Sequence, residues 1–200
     1  MKIFEIRNTF NHLADMSYDI GMLPFDNFKS FRYKIIQTDK IELNHELNFL
    51  GNLTAIENSD YPICDQSMPI ISSKMLNILT QFGGLEINKY PINIIDDSFL
   101  GEKFDLNGNI KNEVPCIVDF QIVQPKLKIS LLDYDKSDYD PMTEWEQFPT
   151  VIRKFVVKTP EQELPPIFRV TERPSSLFIT EKVKNKLKEN EIRGIQFEEL

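Results

Sequence analysis

The residues in this chain that could do chemistry are few. Histidine occurs only at His12 and His45, and cysteine only at Cys64 and Cys116. A Cys–His nucleophile pair needs proximity in space and not in sequence, so the composition leaves that arrangement open. A tetrahedral zinc site built from all four would lack the short CxxC or HxxxH spacing that marks such sites. No HExxH, GxSxG, GxGxxG or phosphate-cradling glycine loop occurs. The two cysteines could form one disulfide, but a secreted domain in need of staples carries more. Two buried free thiols in a reducing compartment is the expectation.

One stretch concentrates charge and aromatic surface. From Asp133 to Glu146 there are six carboxylates and one lysine, together with Tyr134, Tyr139 and the only tryptophan, Trp145. Three chemistries suit it. It is a solvated loop, or an interaction surface in which aromatics anchor a partner that carboxylates attract. The third is a hard-cation or acid–base site, because neighbouring carboxylates hold calcium or shift each other's pKa. The candidate partner-binding residues are Asp133, Tyr134, Asp135, Asp138, Tyr139, Asp140, Glu144 and Trp145, with no metal and no cofactor expected. Another segment, Asp105 to Ile110, superficially resembles a calcium loop. An EF-hand needs Gly at position six and Glu at position twelve, whereas here Gly108 is fourth and Cys116 twelfth. Asn107-Gly108 between apolar residues predicts a hairpin turn instead.

The elements that must position these residues follow from composition and period. The 200 residues are 41% hydrophobic and 27% charged, which excludes wholesale disorder and allows one sizeable core. A net charge of −8 argues against a nucleic-acid or anionic-membrane partner. The 24 Ile and 15 Asn against two Ala suggest an AT-rich coding sequence. Neither a signal-peptide h-region nor an 18-residue apolar run is present, so a cytoplasmic location is expected.

Alternation predicts strands over 2–7, 31–36, 90–95, 153–158 and 167–170, and a pair of strands over 117–123 and 127–132 around Pro125. Residues 8–30 and 60–69 read as irregular, 159–166 as a Pro/Glu loop, and 41–58 as either strand or short helix. Ser72 is a good N-cap for a helix from Ser73 to about Phe82, whose Met75, Ile78, Leu79 and Phe82 share one face. Gly83-Gly84 ends it, and Leu85-Glu86-Ile87 resumes extended.

The last 24 residues repeat this unit. Ile71-Ser72-Ser73-Lys74-Met75 aligns with Ile179-Thr180-Glu181-Lys182-Val183, with Gly84 and Gly194 as the following stops. Lys182, Lys184, Lys186 and Lys188 spread around the second helix, leaving Val183 and Leu187 as its apolar seam, and so read as a solvated face. Chance similarity of two capped helices competes with an internal duplication into halves 1–100 and 101–200. The expected fold is a single α+β domain with mixed or antiparallel sheets and two short, similarly capped helices.

Several of these segments resemble one known family. Pro165-Pro166-Ile167-Phe168-Arg169-Val170, Leu177-Phe178-Ile179-Thr180-Glu181-Lys182-Val183 and Ile192-Arg193-Gly194-Ile195-Gln196-Phe197 are similar to the closing signature of the eleventh named immunity-protein family of bacterial polymorphic-toxin systems. Leu132 to Ser137 and Pro69 to Lys74 resemble its mid-chain segment and first capped helix. The likeness runs in patches from about residue 60 to the end and rests on packing and turn motifs. It implies a cytoplasmic protein that binds and neutralises a cognate toxin without catalysis. The composition adds that the toxin would present a basic surface to the acidic loop. The alternatives are a small metal-dependent enzyme or ligand-binding domain using the 133–146 carboxylates, or an unrelated protein-interaction module.

Overall fold

Short Ile- and Phe-rich runs are long enough for strands and too short for helices that bury themselves, and they build two five-stranded sheets in the computed structural model. It describes residues 2–9, 18–24, 28–160 and 163–200. In chain order the elements are β1 (Ile3–Asn8), β2 (Ile20–Met22), α1 (Phe28–Lys34), β3 (Leu47–Gly51), α2 (Leu53–Ile56), β4 (Ile70–Ser72), α3 (Ser73–Thr80) and β5 (Ile87–Asp96). There follow β6 (Cys116–Pro125), β7 (Lys128–Ile129), β8 (Asp138–Tyr139), β9 (Ile152–Lys154), β10 (Phe168–Val170), β11 (Arg173–Thr180), α4 (Glu181–Glu189) and β12 (Ile195–Glu199). One sheet has the order β12-β1-β11-β10-β7 and the other β2-β3-β5-β6-β4, with β8-β9 as a separate ribbon. Both large sheets are mixed, because β7–β10 and β3–β5 run parallel among antiparallel neighbours. The chain is an α+β protein built mostly from sheet.

The repeated unit is a repeat in space. β4 and β5 flank β6, and β11 and β12 flank β1, so each helix crosses over between two parallel strands separated by an antiparallel third. The registers match as well: Ile71 and Pro91 both face Gln121, while Ile179 and Glu199 both face Phe4, a spacing of 20 residues in each unit. The two helices share one core. Met75 and Leu79 of α3 lie with Val183 and Leu187 of α4, Phe4 and Ile6 of β1, and Val123 of β6. Each sheet draws strands from both 1–100 and 101–200.

The two caps are not alike. Ser72 has extended backbone and its Oγ accepts from the Met75 amide at 3.1 Å, a contact worth about 1 kcal/mol. Thr180 has the same backbone conformation, but its hydroxyl makes no cap hydrogen bond. Here Glu181 places a carboxylate in the first turn, which suits the helix dipole.

Two strand expectations are corrected. Residues 31–36 lie largely in α1 and are not a strand: Phe31 and Ile35, four apart, are both buried, and Tyr33 between them is 73% exposed. Long-range polar contacts hold this helix. The fully buried Gln124 has the Lys34, Gln37 and Asp39 carbonyls within reach of its Nε2, and its Oε1 accepts from Tyr90 and Asn88. Two N–H groups facing three carbonyls bond at most two at once. The fully buried Arg169 donates to the Ile35 and Pro174 carbonyls, and burial pushes its guanidinium down to about 10. The second correction concerns 117–123 and 127–132, which do not pair. β6 bonds along β5 as far as Pro125, after which the chain crosses to the other sheet and β7 joins β10. Of the extended segment expected at 85–87 only Ile87 is strand, and it opens one continuous β5 that takes in the strand expected at 90–95.

Residues 41–58 contain both of the elements weighed for them, β3 and then α2. The Asn107-Gly108 turn is present: Gly108 has φ 84°, Asp105 and Asn109 are hydrogen-bonded, and Phe104 bridges Ile110. No helix of the described residues is long and apolar enough to cross a membrane.

Candidate functional site

The acidic stretch is one arm of an irregular hairpin and not an unstructured loop. Leu131 accepts from Lys158, Leu132 bridges Val157, and Asp133 donates to Val156. β8 then pairs with β9, and Asp140 donates to the Val151 carbonyl. The paired arms therefore run from Leu131/Lys158 out to Asp140/Val151, and residues 141–150 form the tip. Ser137 Oγ locks the bend between the two ladders by accepting from the Val156 amide at 2.9 Å.

The eight sequence-derived candidates divide along this hairpin. Tyr134 and Tyr139 meet edge to face, with centroids 5.5 Å apart, and both are half-buried. Burial, together with the nearby Glu172 carboxylate, pushes the Tyr134 phenol up. Asp133 is mostly covered and pairs with Lys136 at 2.8 Å; that hydrogen bond holds its carboxyl below the ordinary value. Asp138 and Asp140 are about half exposed and share one cation. Arg153 of β9 reaches Asp138 through Nε and Nη2 at 3.0–3.2 Å and Asp140 through Nη1. These bonds lower the Asp138 pKa and raise that of Arg153. Asp135 and Glu144 are exposed and, among the described residues, make no ion pair. Trp145 stands at the tip, 86% exposed, with Met142 and Val151 also among the exposed apolar residues.

Two residues that organise the hairpin escaped the sequence reading. Glu146 fixes the tip by accepting from the Thr143 amide at 2.7 Å and the Thr150 hydroxyl at 2.6 Å, and these bonds lower its pKa. The Thr-x-x-Glu spacing of Thr143 and Glu146 carried that signal. Arg153 had no local signal, since its partners lie across the hairpin. With Lys154 and Lys158 it also changes the electrostatics. The window 133–146 alone carries −5, but the whole hairpin 131–158, with six acids and four bases, carries −2. Aromatic exposure at a held tip is therefore a stronger feature of this surface than net charge.

The other chemical groups lie outside the 131–158 hairpin. Cys64 is buried and Cys116 half-buried, both as free thiols, and burial pushes Cys64 up to about 12. Such a thiol holds almost no thiolate at neutral pH and is not an activated nucleophile. His45 is exposed, and His12 lies outside the described residues, as does any cluster that would include it. Among the described residues no three His, Cys, Asp or Glu side chains are grouped to hold a metal ion. No protein-family model matches this chain, and no curated protein matches it either.

Proposed function

We propose that this protein is an immunity protein that neutralises a cognate bacterial toxin by stoichiometric binding through the tip of the 131–158 hairpin. The observation that carries the reading is Trp145, a large aromatic left 86% exposed on a tip whose backbone is already fixed by Glu146. Exposing such a side chain to water is unfavourable by about 1.5–3 kcal/mol relative to burying it, which suits a surface that is covered in a complex. Because the tip is ordered beforehand, binding gives up little conformational freedom there. Asp135 and Glu144, lacking ion pairs of their own, attract basic groups of the partner, and Arg153 keeps Asp138 and Asp140 in position beside them. The resemblance of the 165–197 segments to the closing signature of the immunity family is in keeping with the same reading.

The test is co-expression with the product of the adjacent upstream gene, followed by calorimetry of the purified pair. Toxicity relieved by this protein, and a loss of at least 30-fold in affinity for Trp145→Ala, are expected, corresponding to about 2 kcal/mol for a central aromatic anchor. A neighbour that is harmless with or without this protein refutes the proposal. Affinity unchanged in Trp145→Ala moves the interface elsewhere.

A further inference from the structure

The two matched units meet end to end in opposite senses: the α3 N-terminus lies against the turn after α4, and the α4 N-terminus lies against the turn after α3. At the first junction the chain fills the space with a turn and bend of its own, residues 57–61. Asp60 donates its amide to the Arg193 carbonyl and accepts from the Ser72 amide, while its carboxylate takes the Ser72 hydroxyl at 2.6 Å and the Arg193 amide at 3.0 Å. Lys74 closes the same end by donating to the Glu191 carbonyl.

The second junction is a cleft of about 720 Å³. Its floor is apolar, with Phe82, Leu127, Leu164 and Val183, and one wall is the bare backbone of Gly83-Gly84, beside which an added Cβ would meet nothing within 4 Å. The segment that lines the remaining side ends in Pro165-Pro166. Neither proline has an N–H, and among the described residues 163–166 make no hydrogen bond to either helix end. Three exposed carboxylates, Glu86, Glu163 and Glu181, border the cleft. Among the described residues that line it, the cation is Lys182, 5.6 Å over the Phe82 ring.

We infer that this cleft is a second interaction surface, which takes a short basic segment of a partner protein in the place that residues 57–61 occupy at the opposite junction. The acidic border selects a segment carrying Lys or Arg, and the apolar floor selects aliphatic side chains between them. A cleft of this volume falls within the range that encloses a bound ligand. No residue of the 131–158 hairpin lines it, so the inference stands independently of the proposed toxin interface.

The probe is a fluorescein-labelled heptapeptide alternating Arg with Val, compared with the same peptide carrying Glu for each Arg. Anisotropy is measured with the full chain at low and high salt, since exposed charge pairs are screened beyond about 10 Å at 0.1 M. The expected result is saturable binding of the Arg peptide only, weakened at least tenfold by Glu86→Lys, Glu163→Lys and Glu181→Lys together. All three positions are exposed, and a far-UV circular dichroism spectrum like that of the unaltered chain, with a cooperative melt, checks that the fold is retained although Glu181→Lys gives up a favourable charge at the α4 N-terminus. Amide shifts on titration should concentrate at 82–86 and 180–183. Absence of saturable binding, equal binding of the Glu peptide, retention of affinity in the triple variant, or shifts confined to 133–146 would each overturn the inference.

Discussion

Replacing Asp60 tests whether the two units are joined as described. Its side chain is nearly inaccessible and receives two hydrogen bonds, from the Ser72 hydroxyl and the Arg193 amide. Bonds to a charged acceptor are worth about 1.5–3 kcal/mol each, and part of this is returned when a buried carboxylate is removed. Asp60→Ala therefore costs about 3 kcal/mol, leaving the Arg193 amide without its acceptor. Asp60→Asn retains one oxygen for that amide and turns its NH2 toward the Ser72 Oγ, which has lone pairs to accept it. It costs about 1 kcal/mol. In a chain of this length, 3 kcal/mol lowers Tm by about 6–12 °C. Urea unfolding followed by far-UV circular dichroism is the suitable assay, because the exposed Trp145 reports poorly on burial. The midpoint should fall with an unchanged m-value. A loss below about 1 kcal/mol for Asp60→Ala, or equal losses for the two variants, would refute the reasoning.

Three further outcomes are expected. Gly84→Ala and Gly194→Ala both place a side chain at positive φ, costing about 1–2 kcal/mol, but a Cβ at residue 194 would also lie 2.1 Å from the Ser59 Oγ, so denaturation should show the second as clearly worse. Cys64 should resist a disulfide-exchange reagent at pH 8 in the native protein and react fully in denaturant, as expected for a buried thiol raised to about 12. The folded-state pKa of Asp138 is depressed, so the Arg153 clamp contributes above the unfolded-state value and is lost as pH falls through the folded one. Carboxyl-carbon NMR should show Asp138 titrating below an ordinary aspartate, and returning to the ordinary value in Arg153→Ala.

The parts of this fold that were legible are those whose signals are local. Ser72, the Met75/Ile78/Leu79 face and Gly83-Gly84 specify a helix and its ends within a dozen residues, and the Asn107-Gly108 turn needs only four. Phe31-Arg32-Tyr33-Lys34-Ile35-Ile36 misled because Phe31 and Ile35 fit a helical spacing as well as Phe31, Tyr33 and Ile35 fit alternation. The deciding contacts come from Gln124 and Arg169, remote in sequence. Thr180 occupies a cap position without bonding as a cap, a difference of side-chain geometry that the residue type does not record. In the hairpin, the aromatic and acidic residues and a strand at 153–158 were each visible, but their pairing was not, because Arg153, Val156 and Lys158 act across the hairpin from residues remote in sequence. A charge tally over one arm counts the acids and misses their neutralising partners.

β1, the central strand among β12, β1 and β11, is the first strand among the described residues, whereas both of its neighbours lie between Arg173 and Glu199. During synthesis from the N-terminus, Phe4 and Ile6 emerge long before Ile179 and Leu177, the residues they face in β11. The sheet β2-β3-β5-β6-β4 is complete by Pro125, so one half of the shared helix core forms well before the other can close over it. Such sequence-distant pairing is slow, and it leaves an apolar strand with two open edges while it waits. The matched units are alike in their finished form, but they are opposites in the order in which a ribosome would deliver them.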